Sequence, residues 1–298
     1  MFATLLGALP LPDLEPTATP GDLLAARIAA QVEAGLEPVT DGNGACDPTA
    51  SVVEAWRHAA SLTDRAVKAV LRGPWTASWL ESGTDGAASR GHDVMERAER
   101  TRDMVDALAA AGCPLVEIEE AAVVGLGDDV PARRWFREAH LRLARDVTAT
   151  HLSLSIPGGS AWEGGAATIL DPPYASLAVD LIAGPENWRL VAQAPRERGI
   201  VVGVIEPGGR DDGPELPVWA AQYAASTKGR GPTRVGIGTA GGLGSLPWAR
   251  AVEKLRALGE AARVAGLPPG DLGDALDPRA VNIRTAALGR AARRRPRP

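Results

Sequence analysis

Acidic side chains stand at the ends of short apolar runs, where strands of a parallel sheet commonly place reactive groups. Glu119 and Glu120 close the run PLVEIEE, and Glu206 closes the run IVVGVIE. His151 and Ser153 alternate along a third run, so their side chains share one face of a strand. Two carboxylates whose pKa values are set apart by their surroundings can act as an acid and a base. Glu119 and Glu206 are therefore candidates for such a pair.

Other polar and aromatic residues follow two further runs. Asp41 and Asn43 come after EPVTD, where they either contact a ligand or shape a turn. Trp75 and Trp79 come after VKAVLRG, where they either stack on a flat ligand or pack in the core. The segment GGLGSLPW (241–248) opens a predicted helix, whose free N–H groups could hold an anion.

Cysteine and histidine are scarce, because the 298 residues contain only two cysteines and four histidines. This count excludes a disulfide framework and a metal site rich in these residues. Besides His151, the histidines are His58, His92 and His140. These three fall on predicted outer helices, and we expect them at the surface.

The overall composition is that of a globular protein, with 45% apolar and 23% charged residues. No apolar run reaches the roughly 18–20 residues of a membrane span, and no basic region precedes the first apolar stretch. The net charge of −5 does not suggest nucleic-acid binding. We therefore expect a cytoplasmic protein with a small-molecule substrate and with neither nucleic-acid nor membrane partners.

Short apolar runs alternate with longer segments of helical spacing, which is typical of β/α units and a parallel sheet. The predicted helices lie near residues 21–35, 49–65, 91–111, 131–147, 185–198, 216–227 and 248–265. The predicted strands are 2–8, 37–41, 67–73, 114–120, 150–156, 179–183, 200–206 and 234–240.

Eight such units predict an α/β fold, a single (β/α)8 TIM barrel over residues 1–270, with the active site at the carboxyl ends of its strands. The alternative is an open doubly wound sheet, which usually carries a glycine fingerprint where this chain has the loop LPLP. Residues 271–298 form a C-terminal extension. After Asp277 it contains seven arginines and no acidic residue, as expected of a solvated tail.

Six segments resemble, in the same order, motifs of the C-terminal catalytic barrel of cobalamin-independent methionine synthase. That barrel belongs to a superfamily that also contains uroporphyrinogen decarboxylase. The segments are GALPLP (7–12), QVEAGLEPVTDGN (31–43), VKAVLRGPWT (67–76), VEIEEAA (116–122), THLSLS (150–155) and TAGGLGSLP (239–247).

The resemblance implies a zinc ion, held by a His and a Cys on the fifth strand, a Glu after the sixth and a Cys after the eighth. In the family this metal makes the homocysteine thiol a nucleophilic thiolate. Here His151 matches the first ligand, whereas Ser153 and Gly241 stand at the two cysteine positions. The predicted strand end at 182–183 offers no carboxylate. We therefore expect these positions to be degenerate and the site to lack zinc.

The resemblance also identifies residues that would hold an amino-acid substrate. The family's Glu after the second strand and Asp on the fourth correspond to Asn43 and Glu119. Its first-strand serine corresponds to Ala8 and its strand-seven histidine to Glu206. The predicted catalytic residues are His151, Glu119 and Glu206. The predicted substrate contacts are Asn43, Asp41, Ala8, Glu120, Ser153, Trp75 and Trp79.

By this resemblance we expect an enzyme, a methyltransferase with a rebuilt, zinc-free site for a small amino-acid-like or carboxylate substrate. A folate is the candidate methyl donor, and no other cofactor is expected. Two alternatives stay open. One is a metal-free decarboxylase or lyase of the same superfamily. The other is a catalytically silent barrel that binds a ligand or a partner.

Overall fold

A computed structural model describes residues 1–82, 87–208 and 213–276. Seven strands in these ranges form one parallel sheet with the order β1-β7-β6-β5-β4-β3-β2. The strands are β1 (Phe2–Thr4), β2 (Lys68–Arg72), β3 (Leu115–Glu119), β4 (His151–Ile156), β5 (Ser176–Asp180), β6 (Gly199–Ile205) and β7 (Val235–Thr239). The α-helices are α1 (Pro20–Glu33), α2 (Ser51–Ala60), α3 (Pro74–Ser82), α4 (Ala87–Ala110), α5 (Val130–Ala144), α6 (Ala166–Leu170), α7 (Trp188–Gln193), α8 (Glu215–Ser226), α9 (Trp248–Ala265) and α10 (Pro269–Ala275).

Alternation along the strands separates the apolar core from a polar interior. On β3, Val116 and Ile118 are fully buried in the apolar core. Glu117 and Glu119 lie between them in sequence and therefore point to the opposite, concave face. The long helices cover the convex face, which is why every second residue of β3 and β4 is apolar. The predicted α/β class and parallel sheet are confirmed, whereas the described residues form a curled sheet of seven strands and not the eight of the predicted barrel.

The predicted strand 37–41 is not formed as a strand. Pro38 has no N–H to donate, and its carbonyl accepts from the Thr4 hydroxyl at 2.8 Å. Val39 makes only an isolated parallel bridge, to Val67. The segment still bonds both edges of the sheet, because Glu37 N donates to the Ala3 carbonyl at 2.9 Å and Val39 N to the Ala66 carbonyl at 2.9 Å. It thus lies between β1 and β2 without completing an eighth regular strand.

The predicted strand 179–183 is shifted, because β5 ends at Asp180. The Asp180 carboxylate accepts the backbone N–H groups of Ile182 and Ala183 at 2.8 and 2.9 Å. It closes the turn after the strand. The sequence analysis was therefore wrong to find no carboxylate at this strand end.

The long helices lie where the sequence analysis expected them, and α3, α6 and α10 are additional. Helix α10 crosses the predicted domain boundary at 270, and residues 277–298, with the arginine-rich tail, lie outside the described residues. Within the described ranges, the structure contains no helix with the length and apolar character needed to span a bilayer.

Candidate active site

The carboxyl end of the concave face holds three polar side chains in register. Arg72 on β2 pairs with Glu119 on β3, and Glu119 pairs with Ser155 on β4. Adjacent parallel strands lie about 4.8 Å apart, so the three residues form a row across neighbouring strands. We call Arg72, Glu119 and Ser155 the carboxyl-end row.

Glu119 lies at the centre of this row and is largely buried. Its Oε2 atom has no hydrogen-bond partner among the described residues. Burial, reinforced by the negative charge of Glu117, raises the pKa of the Glu119 carboxyl from 4.5 to about 7, although Lys68 and Arg72 act in the opposite direction. A carboxyl that exchanges its proton near neutral pH is suited to general acid–base chemistry.

Arg72 reaches into the loop that follows the irregular segment. Its Nη1 donates to Asp47 Oδ1 at 2.8 Å, and both side chains are partly exposed, at 29% and 57%. Arg72 N also donates to the Cys46 carbonyl at 2.7 Å. Cys46 lies at this end of the sheet. The residue as a whole is exposed, but its sulfur is partly buried against the Val70 carbonyl, and this partial burial together with the charge of Asp41 raises the pKa of the thiol. At neutral pH Cys46 is therefore a neutral thiol.

The sequence analysis did not single out Arg72, Asp47 or Ser155. The sequence signal that could have identified Arg72 and Ser155 is the alternation of side chains between the two faces of a strand. Arg72 lies four residues after Lys68 on one strand, and Ser155 lies two residues after Ser153 on another. In each pair the side chains point to the same face.

The loops predicted to meet at the carboxyl end do meet. Ala8 forms an antiparallel bridge with Asn43, and its carbonyl accepts from Leu243 N at 2.7 Å. Gly7 lies against Gly242, where a Cβ atom on Gly7 would come within 2.7 Å of the Gly242 Cα. The structure thus joins the loop after β1, the loop around residue 43 and the loop that contains Gly241.

Asn43 and Asp41 form hydrogen bonds mainly with each other. Asp41 accepts from Asn43 N at 3.0 Å and from Asn43 Nδ2 at 3.1 Å, and Asn43 Oδ1 accepts from the Arg27 guanidinium. Asn43 is exposed, whereas Asp41 is half-buried. These contacts favour the turn-shaping interpretation of both residues.

Glu206 follows β6 directly and is exposed to solvent. Two strands, β4 and β5, separate β6 from β3 in the sheet. The structure therefore places Glu206 and Glu119 at the same end of the sheet but on strands that are not neighbours.

Glu120 does not face the site, which corrects the prediction that it contacts substrate. It is fully buried on the convex side, next to α3 and α5. Its Oε1 accepts from Trp75 N at 2.9 Å, and its Oε2 accepts from Thr76 N at 2.7 Å and from the Thr76 hydroxyl at 2.6 Å. His140 Nε2 lies 2.9 Å from Oε1. The carboxylate thus caps the amino end of α3.

His140, expected at the surface, is fully buried in this network, so that expectation is wrong. Its Nδ1 lies 2.6 Å from the Tyr174 hydroxyl, and its ring stacks on Phe136 at 4.1 Å. With Nε2–H donated to Glu120, Nδ1 accepts the Tyr174 hydroxyl proton, and a neutral imidazole satisfies every contact. His58 and His92 are exposed, as expected.

Trp75 also belongs to the core and not to a ligand platform. It is 2% exposed and packs edge-on against Phe136 at 6.3 Å. Trp79, one turn later on α3, is 38% exposed. Of the two alternatives for Trp75, core packing is therefore the one observed.

His151 and Ser153 lie toward the other end of the sheet. His151 begins β4 and pairs in register with Leu115, four residues before Glu119. At about 3.3 Å per residue, this offset places His151 roughly 13 Å from the carboxyl-end row along the strand. The match to a family motif identified the strand correctly but not the position of His151 along it. His151 is too far from Glu119 for the two side chains to act together.

The degenerate positions of the implied zinc site are His151, Ser153 and Gly241. Gly241 follows β7 at the carboxyl end, opposite to His151. Across residues 1–82, 87–208 and 213–276, no three His, Cys, Asp or Glu side chains converge as a metal-binding group.

Comparisons with known proteins agree with this architecture. A family model described as "Cobalamin-independent synthase, N-terminal domain" matches residues 40–228. The 5-methyltetrahydropteroyltriglutamate–homocysteine methyltransferase of Thermosynechococcus vestitus is 38% identical over 89 residues, which are 30% of this chain and 11% of that protein. The enzyme of the same name from Bradyrhizobium diazoefficiens is 37% identical over 100 residues, 33% of this chain and 12% of that protein. The chain thus matches only about a tenth of the length of these relatives.

Two solved structures share the fold at low sequence identity. A B12-independent methionine synthase from a Shewanella species, in complex with selenomethionine, has a TM-score of 0.73 at 16% identity and covers 88% of this chain and 96% of that one. A methyltransferase from Methanosarcina mazei has a TM-score of 0.55 at 16% identity, with coverages of 88% and 94%.

Proposed function

The chain belongs to the cobalamin-independent synthase family, and from this premise we propose that it is a methyltransferase-like enzyme for a small amino-acid-like or carboxylate substrate. The substrate would bind at the carboxyl-end row. One observation carries the proposal: among the described residues, one buried carboxylate oxygen of Glu119 has no hydrogen-bond partner, and Glu119 lies in register with Arg72. The carboxyl ends of the strands are also where folds of this kind place their chemistry.

Arg72 is suited to hold the carboxylate of the substrate. A guanidinium presents two parallel N–H groups that match a carboxylate. Its present partner, Asp47, is 57% exposed. An exposed ion pair is only weakly stabilising, so a substrate carboxylate can replace Asp47 at modest cost.

Glu119 is suited to take the proton that methyl transfer releases. As the nucleophile of the substrate bonds to the methyl group, the bond between that group and its donor breaks, and the nucleophile loses a proton. A carboxylate with a pKa of about 7 is basic enough to accept that proton near neutral pH, and the protonated carboxyl can then supply it to the donor atom that gave up the methyl group, so that no net proton is released. The Ser155 hydroxyl, buried and without a partner among the described residues, can donate a hydrogen bond to the same ligand.

The site is proposed to work without the zinc ion of the catalytic barrel. The donor set does not fit that metal, because Gly241 has no side-chain donor and His151 lies at the other end of β4. In addition, the family model that matches residues 40–228 describes the N-terminal domain, whereas the zinc ligands belong to the C-terminal catalytic barrel that the sequence motifs resemble. No step of the proposed chemistry passes through a metal.

A folate is the proposed methyl donor, and this part follows from the names of the relatives. Both curated relatives are named for methyl transfer from a 5-methyltetrahydropteroyl compound to homocysteine. The chain matches about a tenth of those proteins, so donor and acceptor are proposals that need their own test.

Native mass spectrometry of the full chain tests the proposal. We expect a co-purified amino acid or folate with the wild type, or binding of added homocysteine or methyltetrahydrofolate. Glu119→Gln and Arg72→Gln should reduce that binding at least tenfold. The matched control is Glu206→Gln, because Glu206 is an exposed carboxylate at the same end of the sheet. A co-purified porphyrin would instead support the decarboxylase alternative and overturn the methyltransferase proposal.

Turnover separates the enzyme from a silent binding barrel. With a bound acceptor and methyl donor, the wild type should yield a methylated product and Glu119→Gln should not. If ligand binds and no product forms at any pH between 5 and 9, the silent barrel is the better description.

A further inference from the structure

The amino end of the curled sheet contains a second cavity, away from the carboxyl-end row. Its volume is about 330 Å³, which equals the space of about ten water molecules. Three residues of its lining are exposed and lie at its opening: His151, Glu197 and Arg234. Its polar lining includes Thr4, Lys68, Glu117, His151, Ser153 and Ser176.

Lys68 and Glu117 form a buried ion pair in the wall of this cavity. Lys68 Nζ lies 2.6 Å from Glu117 Oε2 and also donates to the Leu5 carbonyl at 2.8 Å. Both residues are 2% exposed. Glu117 Oε1, however, has no hydrogen-bond partner among the described residues. A buried carboxylate oxygen is expected to have a donor, so this atom indicates that a ligand with an N–H or O–H belongs beside it.

A chain of hydroxyls runs beside Glu117. Ser176 donates to Ser153 Oγ at 2.8 Å, and His151 Nε2 lies 2.8 Å from Ser176 Oγ. Since the Ser176 proton goes to Ser153, His151 must donate through Nε2–H. Among the described residues the Ser153 hydroxyl accepts this bond and donates none, so its own proton is available to donate into the cavity.

The register places these two groups side by side, because Glu117 pairs with Ser153 across β3 and β4. An acceptor and a donor on neighbouring strands match a single ligand hydroxyl, which donates to Glu117 and accepts from Ser153. A ligand ammonium can donate to Glu117 but cannot accept from Ser153. The pair therefore favours a hydroxyl group.

The charges around the cavity favour an uncharged ligand. Lys68 neutralises Glu117, and the opening carries one acid, Glu197, and one base, Arg234. Although His151 as a whole is exposed, partial burial of its ring at Nε2 lowers the pKa of the imidazole from 6.5, which keeps it neutral at pH 7. The remaining wall is apolar, with Phe2, Leu115 and Val201 among its members, and it suits the C–H face of a polyol.

We propose that this amino-end cavity is a second binding site, which takes a small uncharged polyol of about four to six carbons. One hydroxyl of the polyol would lie between Glu117 Oε1 and Ser153 Oγ. This site is independent of the proposed methyltransferase function, because it lies at the opposite end of the sheet.

Calorimetric titration of the full chain with erythritol, xylitol and ribose tests the proposal, with glycine and malonate as charged comparison ligands. We expect at least one polyol to bind the wild type and neither charged compound to do so. Ser153→Ala should weaken polyol binding about tenfold, the effect of losing one hydrogen bond to a buried group. Ser155→Ala, on the same strand and the same face, is the matched control and should leave polyol binding unchanged.

Glu117→Gln is the more severe variant, and because it leaves Lys68 without its partner, its folding must be checked by circular dichroism. Ser153→Ala keeps the test valid if that variant does not fold. The proposal is overturned if no polyol binds at 50 mM, if binding is lost in Ser155→Ala but kept in Ser153→Ala, or if the charged compounds bind as well as the polyols.

Discussion

Two neighbouring glutamates at the end of β3 have opposite surroundings. Glu119 points to the concave face, where one carboxylate oxygen has no partner among the described residues and where its pKa rises to about 7. Glu120 points to the convex face, where its carboxylate accepts from Trp75 and Thr76 and contacts His140. Both are shielded from water, but among the described residues only Glu120 has hydrogen-bond partners for both of its carboxylate oxygens.

The difference shows that burial alone does not define an active-site carboxylate. A buried charge that is fully hydrogen-bonded stabilises the fold, whereas one without partners is costly to ionise and is available for chemistry. In β3 a step of one residue along the strand changes the face and therefore the role.

The largest effect is expected for Glu120→Ala. This change leaves the backbone N–H groups of Trp75 and Thr76 and the ring of His140 without an acceptor in a buried place. Loss of one partner from such a buried charged network costs about 3–5 kcal/mol. Urea unfolding at pH 7, followed by circular dichroism, measures this loss in the free energy of unfolding.

A smaller effect, of opposite sign, is expected for Glu119→Gln. The folded-state pKa of Glu119, about 7, lies above its ordinary value of 4.5. The unfolded chain therefore ionises first, and the stability of the wild type falls as the pH rises from 4.5 to 7. Glutamine does not ionise, so the variant should gain on the wild type by an amount on the order of 3 kcal/mol above pH 7.

Unfolding free energies of the wild type and of Glu119→Gln at pH 4.5 and pH 8 measure this gain. If the difference between the two proteins is the same at both pH values, Glu119 titrates normally and the contrast with Glu120 is lost.

The next effect concerns the glycine that makes room for Glu120. A Cβ atom on Gly73 would lie 2.2 Å from Glu120 Cδ, so Gly73→Ala must displace the carboxylate that caps α3. Overpacking of this kind costs about 1–3 kcal/mol. Gly125→Ala is the control, because a Cβ there meets nothing within 4 Å. Equal stability of the two variants in thermal unfolding would contradict the role given to Gly73.

The sheet could be predicted from sequence because short apolar, β-branched runs alternate along the chain with longer segments of helical spacing. The segment around Pro38 could not, since its bonds to Ala3 and Ala66 depend on two distant edges of the sheet. Helix α3 was missed for a related reason. Its amino end is capped by Glu120, 45 residues away from Trp75, and no local pattern reveals that partner.

Within the candidate site, the sequence identified Glu119 and the loops that carry Ala8, Asn43 and Gly241. It did not separate Glu119 from Glu120, because a motif match does not state which face each residue of a strand occupies. The height of His151 along β4 was missed in the same way. Arg72 lies four residues after the charged Lys68 on β2, so the two side chains point to the same face. This alternation was the overlooked signal that would have identified Arg72 as the basic member of the carboxyl-end row.

The central claim is that the Glu119 carboxyl titrates near neutral pH. A side-chain carboxyl ¹³C NMR titration from pH 3 to pH 9 tests it, with the Glu119 signal assigned by its absence in Glu119→Gln. We expect a midpoint of about 7 for Glu119. A midpoint near the ordinary glutamate value of 4.5 would contradict both the environment described for Glu119 and the proton-accepting role proposed for it.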